Sequence, residues 1–371
     1  MTLNERIARP GPKKILALDG GGIRGMISVE VLAGIEKILR DKHENDKLVL
    51  ADWFDFFAGT STGAIIATCL ALGMSSDEIR QFYLSSGEDM FDKASIFSRY
   101  TQNKYEDHKL AGKLREVFGA ETTLGSNKLK TLLMMVMRNV STDSPWPVSN
   151  NPGAKYNRLD RNDCNLKLPL WQLVRASTAA PVYFPPEVVK IGSHEFVFVD
   201  GGITTYNNPS FQSFLMATAE PYNLNWPAGE DKLLIVSIGT GTSPEANKDL
   251  KPDEMNIIYN ASSIPSALMY AALNEQDFLC RTFGNCLAGD PLDREVGDMI
   301  GRKGPAMPKL FTYLRYNAEL TRQGLDALGL TDIEPEDVQK LDSTDHIKEL
   351  QRVGRAVVEK KLRREHFAAF K

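Results

Sequence analysis

A chain of 371 residues is long enough for one large core or two smaller domains, and 42% hydrophobic with 25% charged residues is the composition of a folded globular protein. A formal net charge of −4 and a pI near 5.9 exclude the basic global field that attracts nucleic-acid polymers. Nowhere do 18 apolar residues run together, so no membrane span is expected. The polar N-terminus, with Arg6, Arg9, Lys13 and Lys14, lacks the apolar centre of a signal peptide. Cys69, Cys164, Cys280 and Cys286 show no CxxC or Cys/His metal spacing and are expected to be reduced thiols of a cytoplasmic protein.

In chain order, Lys14 to Leu18 is a short apolar run that stops at Asp19-Gly20-Gly21-Gly22, and a helical pattern follows from Met26 to Leu39. This predicts strand, glycine turn and helix. Trp53 to Ala58, Gly59 to Gly63 and the apolar helix Ala64 to Leu72 repeat that unit, with Gly73 as C-cap and a new helix opening at Ser75-Ser76-Asp77-Glu78. A mixed stretch from Glu88 to Gly125 contains a helix at Lys109–Phe118, and Lys130 to Arg138 is expected as a buried strand. Ser141 to Asp163, rich in Pro, Asn and polar residues, is expected as loop; helix Leu170–Thr178 follows, and Ala179 to Pro186 cannot be helical throughout. Phe196–Val199 and Leu233–Ile238 are strands that end at Asp200-Gly201-Gly202 and Gly239-Thr240-Gly241-Thr242. The last hundred residues lean helical, with a stripe of Ile347, Leu350, Val353, Val357 and Leu362 ahead of a basic tail. Strands alternating with glycine turns and helices predict an α/β fold with a mostly parallel sheet, covered on both faces.

The chemistry begins at Gly59-Thr60-Ser61-Thr62-Gly63. Gly-x-Ser-x-Gly between strand and helix is a nucleophile elbow: both glycines relieve a tight turn, and the Ser61 hydroxyl projects at the mouth of a helix. Such a hydroxyl needs a base. None of the five histidines, His43, His108, His194, His346 and His366, follows a sheet strand as a triad histidine would. Asp200 does end a strand, and Gly201 and Gly202 follow it. In a partly dehydrated cleft its carboxylate can accept a proton; the alternative is a plain turn aspartate. Gly20, Gly21 and Gly22 bring backbone N–H groups toward one oxygen, as an oxyanion hole would. Arg24 adds positive charge for the oxyanion, for a lipid phosphate or for the loop itself. Gly20-x-Gly22-x-x-Gly25 also fits a dinucleotide fingerprint, but the polar run Asp41 to Asp46 stands where that reading requires an acidic strand end.

The three strings Asp-Gly-Gly-Gly-x-Arg-Gly, Gly-Thr-Ser-Thr-Gly and Asp-Gly-Gly, with Ala176 to Pro181, Tyr183 to Pro186 and Ser237 to Gly241, resemble the patatin-like phospholipases over residues 14–245. The resemblance implies a three-layer α/β/α patatin-like fold and a Ser61–Asp200 dyad. It also implies an oxyanion hole at Gly20, Gly21 and Gly22 with Arg24 beside it, and hydrolysis of phospholipid acyl esters without a metal or other cofactor. Residues 1–13 are expected as an N-terminal tail and 14–371 as a single domain, with the motif core at 14–245 and a helix-rich part at 246–371. A narrower likeness, through Leu170 to Ser177 and Pro308 to Tyr316, is to the CapV-type bacterial effectors of cyclic-oligonucleotide antiphage signalling. It implies activation by a cyclic dinucleotide and action at the inner face of the membrane. Tyr313, Arg315 and Tyr316 have the chemistry of a base-stacking, phosphate-binding activator site, although buried strand residues would look the same. Phe91, Ile96, Phe97, Trp146 and the basic C-terminal helix are candidates for peripheral membrane contact, against packing on the protein's own core. The remaining alternatives are an unregulated lipid acyl hydrolase, a dinucleotide-binding oxidoreductase and a catalytically silent scaffold.

Overall fold

The computed structural model describes residues 1–91, 107–181, 183–243 and 257–370. Ile96 and Phe97, two of the membrane-contact candidates, lie outside them. Among the described residues a nine-stranded sheet forms the centre. β1 (Lys13–Leu18), β2 (Phe56–Thr60), β3 (Leu132–Asn139), β7 (Leu233–Ile238), β9 (Thr312–Tyr316) and β8 (Asn285–Ala288) run parallel, in the spatial order β3-β2-β1-β7-β9-β8. β4 (Ser144–Ser149), β5 (Glu187–Ile191) and β6 (His194–Asp200) are antiparallel additions at the β3 end.

Alternation along the strands divides the core into two layers. Leu16 and Leu18 of β1 face a cluster built with α2 (Gly25–His43), α3 (Leu50–Trp53), α4 (Thr62–Ala71), α5 (Ser76–Phe91), α6 (Asp107–Phe118) and α7 (Leu170–Ser177). Ile15 and Ala17 face the other way, against Phe214 and Met216 of α8 (Ser210–Thr218) and Cys280 of α9 (Ile257–Phe283). With both faces covered, the central strands have no solvent-facing side, and all six residues of β1 are buried, Lys13 and Lys14 among them.

Three expectations change. Residues 1–13 include α1 (Leu3–Ala8), capped by Thr2 and Glu5, whose Arg6 is buried and donates to the Phe54 carbonyl at 3.0 Å. The segment read as loop contains β4: Pro145 and Pro147 lie on a strand that pairs only with β3 among the described residues, an edge where missing N–H groups are tolerated. Among its described residues the helix-rich C-terminal part holds two strands, β8 and β9, beside α10 (Arg322–Ala327), α11 (Pro335–Gln339) and α12 (Ile347–Lys361).

The register of β3 decides what happens at the carboxyl edge. β2 pairs with Leu132–Val136 and β6 with Met137–Asn139, while β4 runs opposite Met134–Asn139 and so takes the other side. β2 and β6 therefore meet head-on along one side of β3. Thr60 stands opposite Val136, and Asp200 stands opposite the next residue, Met137.

Candidate active site

Ser61 links β2 to α4 with φ 55° and ψ −123°, a conformation that L-residues rarely hold and that a nucleophile elbow requires. Its neighbours explain why: a Cβ at Gly59 would collide with the Gly63 carbonyl, and one at Gly63 with the Leu18 carbonyl of β1. The Ser61 N–H donates to Ser177 Oγ at 3.0 Å, and Ser177 Oγ in turn donates to the Val136 carbonyl at 2.5 Å. Ser177, fully buried at the end of α7, thus ties the strained residue to β3.

The half-buried Ser61 hydroxyl donates to Asp200 Oδ2 at 2.6 Å. The other carboxylate oxygen accepts the Gly202 N–H at 2.6 Å, and the Asp200 N–H donates to the Ala179 carbonyl at 2.9 Å. Asp200 is 5% exposed. Burial raises its pKa from the ordinary 3.8 to about 6, against the opposing pull of the Ser61 and Gly202 hydrogen bonds and the charge of Arg175. Such a carboxylate is more basic than one in water yet still ionised at neutral pH. Among the described side chains, no histidine shares a hydrogen bond with either residue; the His43 and His194 rings are exposed, His346 pairs with Asp337, and His366 bonds to Tyr316.

The glycine loop packs over this pair. A Cβ on Gly20 would stand 3.2 Å from Ser61 Cβ, and the Gly20 carbonyl accepts from Thr240 Oγ1 at 2.7 Å. The Gly20 N–H is committed to the Asn207 carbonyl at 3.2 Å, so the expected set of three amides is reduced. Gly21 and Gly22 retain N–H groups with no acceptor among the described residues, and Gly22 turns the chain at φ +57°. Arg24 donates from Nη1 to the Gln339 carbonyl at 3.1 Å, and Ile23 N–H donates to the Leu341 carbonyl at 2.9 Å. Burial lowers the Arg24 pKa to about 10, opposed by Asp19, so the charge persists at neutral pH. In this geometry Arg24 holds the loop against the C-terminal part.

The activator residues are a correction. Tyr313, Arg315 and Tyr316 lie on β9 with 0%, 3% and 0% of their surface exposed. Tyr313 donates to Asp277, Arg315 forks onto Asp19, and Tyr316 pairs with His366. They are interior polar residues, with no face for a nucleotide. Of the membrane candidates, Phe91 is buried against Tyr83, and Trp146 packs on Phe196 and Phe198 with ring centroids 5.3 Å apart in both cases. The basic C-terminal helix lays its apolar stripe on the core. Ser177, Asn207, Thr240 and Leu341 support the site without a motif of their own. Only Ser177 and Thr240 fall in strings that the resemblance had marked.

The family model for patatin-like phospholipases matches residues 16–212. A cGAMP-activated phospholipase of Escherichia coli is 31% identical over 61% of this chain and 62% of its own, so this chain spans less than two thirds of that relative. Patatin-T5 of Solanum tuberosum is 27% identical over 74% of this chain and 77% of its own. The structure of human GIVD cytosolic phospholipase A2 aligns at 12% identity and a TM-score of 0.47, covering 96% of this chain and 63% of that one. The family match spans the elbow, the glycine loop and the Asp200 turn, and the chain belongs to the patatin-like phospholipase family.

Proposed function

We propose that this protein is a serine acyl hydrolase that cleaves fatty-acyl esters of membrane phospholipids. The observation that carries the reading is the 2.6 Å hydrogen bond between Ser61 Oγ and Asp200 Oδ2, formed where two strands meet on one side of β3. Ser61 attacks the ester carbonyl as Asp200 takes its proton. The oxyanion is met by the N–H groups of Gly21 and Gly22, and the lysolipid leaves with the proton from Asp200. Water then gives a proton to Asp200 and attacks the acyl-serine, releasing fatty acid and restoring the hydroxyl.

Ser61→Ala should lower hydrolysis of a fluorogenic phospholipid by at least about a thousandfold with the fold intact, because nucleophile and base act as one unit. Full activity in the purified variant would remove Ser61 from the reaction. The name of the Escherichia coli relative supports a second element, activation by a cyclic dinucleotide; a role in antiphage defence at the inner membrane face is proposed with it, on the resemblance of Leu170 to Ser177 and Pro308 to Tyr316 to the CapV-type effectors. Titrating cGAMP into the same assay tests it: a rise in rate that saturates supports a switch, and a flat response leaves an unregulated hydrolase.

A further inference from the structure

The glycine loop starts at a buried charge. Asp19, at the end of β1, is 1% exposed and receives both arms of Arg315, Nη1 to Oδ1 at 2.9 Å and Nη2 to Oδ2 at 2.5 Å. Arg315 Nη1 also donates to Ser237 Oγ at 2.8 Å, so one guanidinium joins the carboxyl ends of β1, β7 and β9. Behind it stands Asp277 of α9, 3.9 Å from Arg315 Nε; it receives Arg281 at 2.8 and 2.7 Å and the Tyr313 hydroxyl at 3.0 Å. Arg281 reaches on to the carbonyls of Asp290 and Asp298 at 2.6 and 2.9 Å. The chain of charges alternates in sign.

Buried ion pairs contribute little net stability, because desolvation of both partners offsets their attraction. Geometry is what a forked guanidinium supplies: two parallel bonds fix the plane and position of a carboxylate in a way that a lysine cannot. Here the fixed carboxylate belongs to the residue from which Gly20, Gly21 and Gly22 depart, and the Asp19 N–H is held in turn by the Ile238 carbonyl at 3.1 Å. We propose that Arg315 is a positioning residue for the Gly21 and Gly22 amides, acting on the reaction through Asp19. This inference rests on the acyl-transfer reading of Ser61 and Asp200.

The test compares Arg315→Met and Arg315→Lys with wild type and with Ser61→Ala. It uses a short-chain ester and an alkyl phosphonate monoester, whose tetrahedral anion imitates the reaction intermediate. Displacing oxyanion donors by about an ångström costs on the order of a hundredfold in rate. Arg315→Met should therefore lose about a hundredfold in kcat with KM within twofold, and its affinity for the phosphonate should fall by a similar factor. Arg315→Lys, which keeps the charge without the fork, should recover part of both. Wild-type kcat in folded Arg315→Met would overturn the proposal, as would a kcat loss with phosphonate affinity unchanged. Should only the lysine variant fold, its kcat and phosphonate affinity decide. Failure of both variants to fold would overturn positioning in favour of a structural role. An active Ser61→Ala would instead sink the acyl-transfer reading, whatever Arg315 does.

Discussion

Asp200 is ionised at neutral pH in a place that resists charge, and two measurable consequences follow. As the proposed base it must be unprotonated, so kcat/KM should climb about tenfold per pH unit up to about pH 6 and then level off. The stability term has the opposite trend. The folded pKa lies above the ordinary 3.8, so the stabilisation is fully present below that value and is lost as pH rises through about 6. Above pH 6 the buried charge opposes folding. Asp200→Asn should therefore be inactive yet more stable than wild type at pH 8, by about 2–3 kcal/mol, with the gain absent at pH 4. Denaturant melts at both pH values check it; equal differences at pH 4 and 8 would refute it. Ser61 and Asp200 were legible in the sequence because each follows an apolar run and is bracketed or followed by glycine. Ser177 was not marked as a support for Ser61, because a serine at a helix end is ordinary until the backbone it bridges is known.

The two residues meet because β2 and β6 share one side of β3, and the glycine after Asp200 makes that junction tight. A Cβ on Gly201 would fall against the Val136 carbonyl and the Thr60 side chain. Neither can yield without moving β6 away from β2. Gly201→Ala should cost about 1–3 kcal/mol, as overpacking does, and lower kcat at least tenfold by stretching the Ser61–Asp200 bond. A melting curve and steady-state kinetics measure the two effects, and wild-type kcat would show that the junction has slack. The parallel sheet itself could be read from its apolar runs and glycine turns. β4 could not, since Pro145 and Pro147 suggest a break until the strand is known to lie at an edge. β9 misled for a different reason. In a sheet covered on both faces an arginine between tyrosines looks the same whether it binds a ligand or an interior carboxylate, and only Asp19 distinguishes the two.

Every motif of the proposed active site lies between Asp19 and Gly202, yet the glycine loop is held from residues well over a hundred positions further along the chain. The carbonyls of Gln339 and Leu341 receive Arg24 and Ile23. α12 crosses α2 closely enough that a Cβ on Gly354 would strike Glu30 and Ile27, and one on Gly34 would strike Val358. Leu350, Val353 and Val357 are fully buried in that contact, and Lys42 of α2 donates to the carbonyls of Phe367 and Phe370 at 2.7 and 2.6 Å. Removing residues 334–371 would expose the α2 face and free the loop at once. Single core truncations such as Leu350→Ala cost about 2–5 kcal/mol, and the total stability of a domain is only about 5–15 kcal/mol. The chain ending at 333 should therefore fail to fold, and Leu350→Ala in the 371-residue chain should stay folded with a lowered melting temperature. Thermal melts and hydrolysis assays on both give the answer: a folded, active 1–333 chain would make the C-terminal part an accessory rather than the clamp on the glycine loop.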